Sequence, residues 1–174
     1  MRRIVTGHTS DGKATIVSDT QVDAITSPVL SGYEFYRLWG ADEAPTFPDD
    51  GSLPPYSTHF PPVGGFRFGT FTVPPESVEQ PENVDFNVIL EAIDEVLPGA
   101  AKYMEKDSPG MHATDTIDFE YIISGEVWLE LDNGKEVHLR VGDTVIQNGT
   151  RHAWHNKGSE PCSMVLCLIG AHRK

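Results

Sequence analysis

The stretch GDTVIQNGTRHAWHN, residues 142–156, decides the fold. Turn signals at Gly142 and Gly149 border one short apolar-rich run, and a second short run, HAWHN, follows directly. Short strands separated by frequent turns are typical of an antiparallel β-sandwich or barrel. We expect His152 and Trp154 to share one face of the second strand, because side chains two positions apart point the same way.

The same pattern runs from Lys102 to the end of the chain. Further short strands are predicted in DFEYIIS, EVWLELD, KEVHLRV and CSMVLCLIG, with LDNGKE as an Asn-Gly hairpin turn. The first hundred residues predict four more strands, in RRIVTGH, KATIVSD, YEFYRLWG and GGFRFGTFTVPP, of which the first two form a hairpin around Asp11-Gly12. One helix is expected in NVDFNVILEAIDEVLPG, since its apolar residues recur at helical spacing.

Two parts of the chain therefore differ in organisation. We expect residues 1–100 to be an N-terminal extension with strands, a long loop and the helix, and residues 101–174 to be the barrel core. The loop, residues 41–62, is dense in Pro, Asp and Gly, which disfavour both helix and strand. A loop of this length is either a lid, a binding segment or an exchanged arm, or else a plain linker.

Two motifs resemble those of the cupin superfamily. The second cupin motif is matched at Gly142, Asp143, Gly149, His152 and Asn156, with Gln147 in place of the family's proline. Alignment of the first motif on Gly125 puts His112 on the family's first histidine, Thr114 on its second and Asp118 on its glutamate. The resemblance is to the single-barrel, cupin 2 type and covers about the last seventy residues.

The resemblance implies a mainly β fold, a jelly-roll barrel (double-stranded β-helix) that often holds a divalent metal on three histidines and a glutamate. Here Thr114 is a poor ligand, so His112, Asp118 and His152 remain as the expected metal ligands. Two histidines and one carboxylate suffice for Fe, Zn, Mn or Ni. The alternative is a metal-free pocket in which these side chains bond each other or a ligand.

Other side chains are candidates by their strand parity. His112, Thr114, Asp118 and Glu120 share one face of an unbroken strand. Glu120 and His112 are therefore the candidate catalytic residues that shuttle a proton, although a carboxylate in contact with water at the barrel mouth is the alternative for Glu120. Contacts to a substrate are expected from four side chains: Thr114, Gln147, Trp154 and Trp128. His138 and His155 have the opposite parity and are expected at the surface.

Two functions follow from this site. The first is a metal-dependent enzyme, of oxygenase, isomerase, dehydratase or decarboxylase type, acting on a small organic molecule. The second is a metal-free protein that binds a small molecule without catalysing a reaction.

The amino-acid composition limits the kinds of molecule that the chain is expected to bind. The chain has 13 Lys plus Arg and 26 Asp plus Glu, a net charge of −13, which disfavours nucleic acid and anionic membranes. Cys162 and Cys167 are five positions apart in one predicted strand, so they point to opposite faces and are expected to stay reduced. We expect a cytoplasmic protein, and a homodimer that covers exposed strands.

Overall fold

A computed structural model describes residues 1–174. The chain forms ten strands and one α-helix, and two 3-10 turns lie at Ala101–Tyr103 and Asp132–Gly134. In chain order the elements are β1 (Arg2–His8), β2 (Ala14–Gln21), β3 (Glu34–Ala41), β4 (Phe66–Val73), α1 (Phe86–Val96), β5 (Thr116–Ser124), β6 (Glu126–Glu130), β7 (Glu136–Arg140), β8 (Thr144–Asn148), β9 (Ala153–His155) and β10 (Cys162–Gly170).

The strands build three sheets. A five-stranded sheet has the order β3-β4-β10-β5-β8, a three-stranded sheet has the order β7-β6-β9, and β1 and β2 form a separate hairpin. The turn between β6 and β7 uses Asn133 and Gly134 in the left-handed region, with φ of 62° and 67°. All strand pairs are antiparallel, as the short, turn-separated runs predict.

The core lies between the two larger sheets. Both sheets alternate buried and exposed side chains, so each has one apolar face. The core residues come from β4, β5 and β10 on one side and β6 and β7 on the other: Val73, Ile122, Val127, Leu129, Leu139, Cys162 and Met164. This is a two-sheet jelly-roll barrel closed at one end by apolar packing.

The helix and the long loop lie against the other end of the barrel. Asp85 caps α1 by accepting a hydrogen bond from the Asn87 N–H at 2.7 Å, and Ala92 and Val96 are its buried residues. Beyond the helix, the Pro98 carbonyl accepts from the His59 backbone N–H at 2.8 Å. The loop over 41–62 is thus held against the segment that follows α1.

Strand register sets which side chains meet inside the barrel. One inward row crosses the five-stranded sheet from Arg67 through Leu168 to Asp118 and Gln147. A polar row of this kind is unusual for an inner sheet face, where apolar side chains dominate. The polar end of the barrel is therefore built by β5 and β8, away from the apolar core.

The mainly β fold predicted from the sequence is confirmed, and the predicted strands and the helix are present at nearly the predicted positions. The division at residue 100 stays a prediction, and β3 and β4 from the first part join the same sheet as β5, β8 and β10. No helix has the length and apolar character needed to cross a lipid bilayer.

Candidate functional site

Strand β5 places two carboxyl groups inside the barrel. Its buried residues alternate with exposed ones, and Asp118 and Glu120 are 3% and 5% exposed. The shared inward face of Asp118 and Glu120 agrees with their predicted parity. Thr114 lies just before the strand, is fully buried and has its hydroxyl 2.8 Å from that of Thr116.

Two histidines lie side by side at the polar end of the barrel. The backbone groups of His112 and His152 exchange hydrogen bonds of 3.0 and 2.9 Å, and their ring centroids are 4.2 Å apart. Nδ1–H of His112 donates to the Gly110 carbonyl, and Nδ1–H of His152 donates to the Thr150 carbonyl. Because a carbonyl only accepts, the proton of each neutral ring is on Nδ1 and the Nε2 lone pair is free.

Burial controls the protonation of these groups. It lowers the pKa of His152 to about 4, with a further contribution from His112, and it also lowers the pKa of His112. Burial raises the pKa of Asp118 to about 6. Burial and the charge of Asp118 raise the pKa of Glu120 to about 8. At neutral pH Glu120 is therefore mostly a neutral acid, and both histidines are neutral acceptors.

Three buried polar atoms at this end have no partner in the protein. They are Oδ1 of Asp118, Oε2 of Glu120 and Nε2 of Gln147. Asp118 and Gln147 are opposite each other in the pairing of β5 with β8, and Glu120 is the next inward residue of β5. Buried polar atoms are nearly always hydrogen-bonded, so this cluster is suited to the polar groups of a bound molecule or water.

The expected metal ligands do not come together as a set of three. No group of three or more His, Cys, Asp or Glu side chains is placed so that it could hold a metal ion. His112 and His152 form a pair, and the free Nε2 atoms suit metal binding, but no carboxylate completes the arrangement. The residues thus do not fit the two-histidine, one-carboxylate shell expected from the sequence.

The two candidate tryptophans lie on opposite sides of the three-stranded sheet. Trp154 faces inward, as predicted, with its ring edge-on to His152 and to Phe71. Trp128 does not: it stacks on His138 at 4.0 Å, on the outer face of β6. The prediction that Trp128 lines the interior is wrong, because Val127 and Leu129 take the inward positions of that strand.

The outer face of the same sheet explains the surface histidines. His138 lies 2.7 Å from Glu126, and His155 lies 2.7 Å from Glu130, in the partly exposed positions predicted from their parity. Neither histidine approaches the barrel interior.

Two inward arginines and His59 extend the site beyond the sequence-based candidates. Arg67 is 4% exposed and Arg37 is partly buried, and both line a cavity of about 20 Å³ together with His59 and Leu166. Burial, together with the charges of Arg37, Arg67 and His112, lowers the pKa of His59 to about 3. An arginine inside an otherwise apolar or aromatic strand, as in YEFYRLWG and GGFRFGTF, was the available sequence signal.

Comparisons with known proteins agree with this architecture. Residues 101–169 match the family model of the cupin domain. Phomopsin biosynthesis cluster protein C′ of Diaporthe leptostromiformis is 33% identical over 96 residues, 52% of this chain and 51% of that protein. The cupin-domain-containing oxidoreductase virC of Hypocrea virens is 36% identical over 62 residues, 34% of this chain and 32% of that protein.

Among solved structures, the cupin domain of Schizosaccharomyces pombe Cnp3 has the same fold, with a TM-score of 0.50 at 11% identity, over 97% of this chain and 87% of that one. The chain spans about half the length, or less, of the curated relatives that it matches. The two motifs and the family match together identify residues 101–169 as a cupin domain, and the facing sheets have the cupin fold.

Proposed function

We propose that this cupin is an enzyme that binds a small organic molecule in the polar end of its barrel and moves protons on it without a metal ion. The observation that carries the proposal is the cluster of buried, unpartnered polar atoms on Asp118, Glu120 and Gln147. Leaving such groups unpaired costs about 1–3 kcal/mol each. Sites of this kind are typical of ligand binding and catalysis, where local stability is sacrificed.

The proposed chemistry is an isomerisation through an enol. The Nε2 lone pair of His152 takes a proton from a carbon next to a carbonyl, while the neutral Glu120 gives its proton to the carbonyl oxygen. Return of a proton from His152 to a different carbon, and of the hydroxyl proton to Glu120, completes the cycle without an added oxidant or reductant. His112 lies beside His152 and shares the role of acceptor.

The side chains around His152 and Glu120 support these roles as proton acceptor and proton donor. The Gln147 amide is a neutral donor that suits the same carbonyl oxygen, and the Trp154 ring supplies an apolar wall beside His152. The Thr114 hydroxyl lies within hydrogen-bond distance of the Thr116 hydroxyl, so we do not include Thr114 among the proposed substrate contacts. The name of the Diaporthe leptostromiformis relative refers to a biosynthesis cluster, which favours a small-molecule substrate over a macromolecular one.

Deuterium exchange tests this function without knowledge of the natural substrate. Acetylacetone, a neutral diketone, is incubated with the protein in heavy water, and exchange at its central carbon is followed by proton NMR above the buffer rate. We expect Glu120→Gln and His152→Ala each to reduce the protein-dependent rate by about 100-fold. His155→Ala, on the outer face, is the control and leaves the rate unchanged. Equal rates in all four proteins contradict the proposal.

A metal-dependent enzyme is the second candidate. It is favoured by the two free Nε2 atoms of His112 and His152, each fixed by a bond from Nδ1 to a carbonyl. It is disfavoured by the lack of a third ligand in place. The remaining alternative is a metal-free protein that binds a small molecule without catalysis. In the exchange experiment, such a protein would bind acetylacetone but would not accelerate deuterium exchange.

We further propose that the chain forms a homodimer through the outer face of its five-stranded sheet. Large apolar side chains on this face are 41–52% exposed, among them Phe68, Phe119, Tyr121 and Ile146. A groove of about 1030 Å³ next to it lies between β1 and the outer face, lined by Arg3, Trp39, Phe47 and other side chains. Contiguous apolar surface of this extent is typical of an interface.

Sedimentation velocity tests the dimer. We expect a dimer at micromolar concentration, and a monomer after Phe119→Asp, which places a charge on the outer face. A wild-type monomer at micromolar concentration contradicts the assembly.

A further inference from the structure

Arg37 lies in the same inward row as Glu120. In the register of the five-stranded sheet, Arg37 is opposite Gly69, Gly69 is opposite Leu166, and Leu166 is opposite Glu120. Arg37 on β3 and Glu120 on β5 are therefore three strand spacings apart, about 14 Å between their backbones. Gly69 has no side chain to fill the row, and Arg37, Gly69 and Leu166 line the same small cavity.

The Arg37 guanidinium has no anionic partner. Nη2–H donates to the Val96 carbonyl at the end of α1, and Nε is buried with no partner at all. Arg67, two residues before Gly69 on β4, is different. It pairs with Asp42, donates to three backbone carbonyls and stacks on Tyr56.

The charged groups around Arg37 do not supply it with a counter-ion. Arg67 has Asp42 as its ion-pair partner, whereas no carboxylate lies within ion-pair distance of the Arg37 guanidinium. Asp118 is separated from Arg37 by a whole sheet row. A guanidinium stays charged at neutral pH, and a partly buried charge without a counter-ion is costly. His59 beside it is kept neutral and offers no negative charge.

We infer that the substrate carries a carboxylate, which Arg37 binds at one end of the barrel while the reacting carbon lies at the Glu120 end. The unused Nε–H and a second N–H of the same guanidinium form the fork that matches a carboxylate. This inference rests on the proposed function for the location of the reacting carbon, but the binding of the carboxylate is independent of catalysis.

A matched pair of probes tests the inference. Acetoacetate and acetylacetone differ in having a carboxylate or a methyl ketone at one end, and their binding is measured by titration followed by NMR. We expect wild-type protein to bind acetoacetate at least tenfold more tightly than acetylacetone. Arg37→Met, which keeps the apolar stem, should lose this preference, whereas Arg37→Lys, which keeps the charge, should retain part of it. Arg140→Met, at an exposed arginine of β7, is the control and should keep all of it.

The outcomes separate the two proposals. If acetoacetate binding depends on Arg37 but neither probe exchanges deuterium, the carboxylate site stands and the proposed reaction is wrong. If exchange depends on Glu120 but Arg37→Met binds and exchanges both probes as the wild type does, the reaction stands and the carboxylate site is wrong. Failure of the wild type to bind acetoacetate at millimolar concentration also overturns the inference. Circular dichroism of each variant checks that it is folded, and Arg37→Lys keeps the test decisive if Arg37→Met does not fold.

Discussion

Asp118 on β5 and Gln147 on β8 lie directly opposite each other inside the barrel, and each has one buried polar atom without a partner. Oδ1 of Asp118 can accept a hydrogen bond and Nε2 of Gln147 can donate one, but neither atom has a partner. This relationship distinguishes the polar end of the barrel from the apolar core, where no such atoms occur. It also makes the site testable through stability as well as through catalysis.

The stability of the protein should depend on pH through Glu120. Its pKa is raised from 4.5 to about 8 in the folded state, so between these values the folded protein binds more protons than the unfolded chain. The free energy of unfolding therefore falls as pH rises, by about 1.3 kcal/mol per pH unit below pH 8 for this group, and levels off above it.

Urea unfolding between about pH 7 and pH 9 measures this slope. Glu120→Gln should remove it, because the amide does not titrate, while Glu79→Gln, at an exposed carboxyl group, should keep it. Asp118, His112 and His152 face the same space, so only the difference between wild type and variant is diagnostic. Identical slopes in wild type and Glu120→Gln would show that Glu120 titrates normally.

Two buried amides should respond in opposite ways to apolar replacement. Nε2 of Gln147 is unpartnered, so Gln147→Met removes an unpaired donor and should raise the free energy of unfolding by about 1 kcal/mol. Asn156 donates to the carbonyls of Val73 and Glu160 at 2.9 Å each. Asn156→Leu should therefore lower it by about 3 kcal/mol.

Denaturant unfolding of the two variants provides the measurement, and each serves as the control for the other. Gln147→Met should also weaken probe binding, since the Gln147 donor is proposed to contact the ligand. A loss of stability in Gln147→Met equal to that in Asn156→Leu would mean that Gln147 is fully bonded in the folded protein.

Much of this site is predictable from the sequence, and the errors have physical causes. Alternation along DFEYIIS placed Asp118 and Glu120 on one face, as the structure has them. Trp128 was assigned inward, yet EVWLE alternates its two apolar residues with Glu126, Trp128 and Glu130, and that pattern favours the outer face.

Arg37 was missed for a different reason. A register irregularity between Arg37 and Trp39 shifts the parity of β3, so strict alternation along YEFYRLWG cannot assign both ends of the strand to a face. The grouping of Asp118 with the two histidines could not be judged from strand parity for a related reason: His112 lies before β5 begins at Thr116, and its position is set by bonding to His152 rather than by the parity of β5.

The proposed proton transfer should not require a metal ion. Because no three candidate ligands are grouped, we expect protein purified without chelator to contain less than stoichiometric Fe, Zn, Mn or Ni. Deuterium exchange should survive treatment with a chelator. Elemental analysis of the wild type and His152→Ala gives the comparison. Stoichiometric metal that His152→Ala loses, together with exchange that a chelator abolishes and added metal restores, would favour the metal-dependent candidate instead.

Arg67 should hold the long loop on the barrel. Nε donates to the Thr58 carbonyl at 2.9 Å and Nη1 to the Ala41 carbonyl at 2.8 Å, so one buried side chain joins both ends of the loop over 41–62. Arg67→Met leaves these carbonyls and Asp42 without their donor. We expect a loss of about 3 kcal/mol in the free energy of unfolding.

In Arg67→Met, the loop over 41–62 should also become more accessible to proteases. Limited proteolysis within residues 41–62 should be faster in Arg67→Met than in wild type under conditions where both remain folded, and mass spectrometry locates the cleavage. Arg140→Met, at an exposed arginine, should leave the cleavage rate unchanged. Because His59 lies in this loop and lines the same small cavity as Arg37, release of the loop should weaken acetoacetate binding as well. Unchanged proteolysis and binding in a folded Arg67→Met protein would show that the loop is held by its other contacts, such as the bond from the His59 backbone to Pro98.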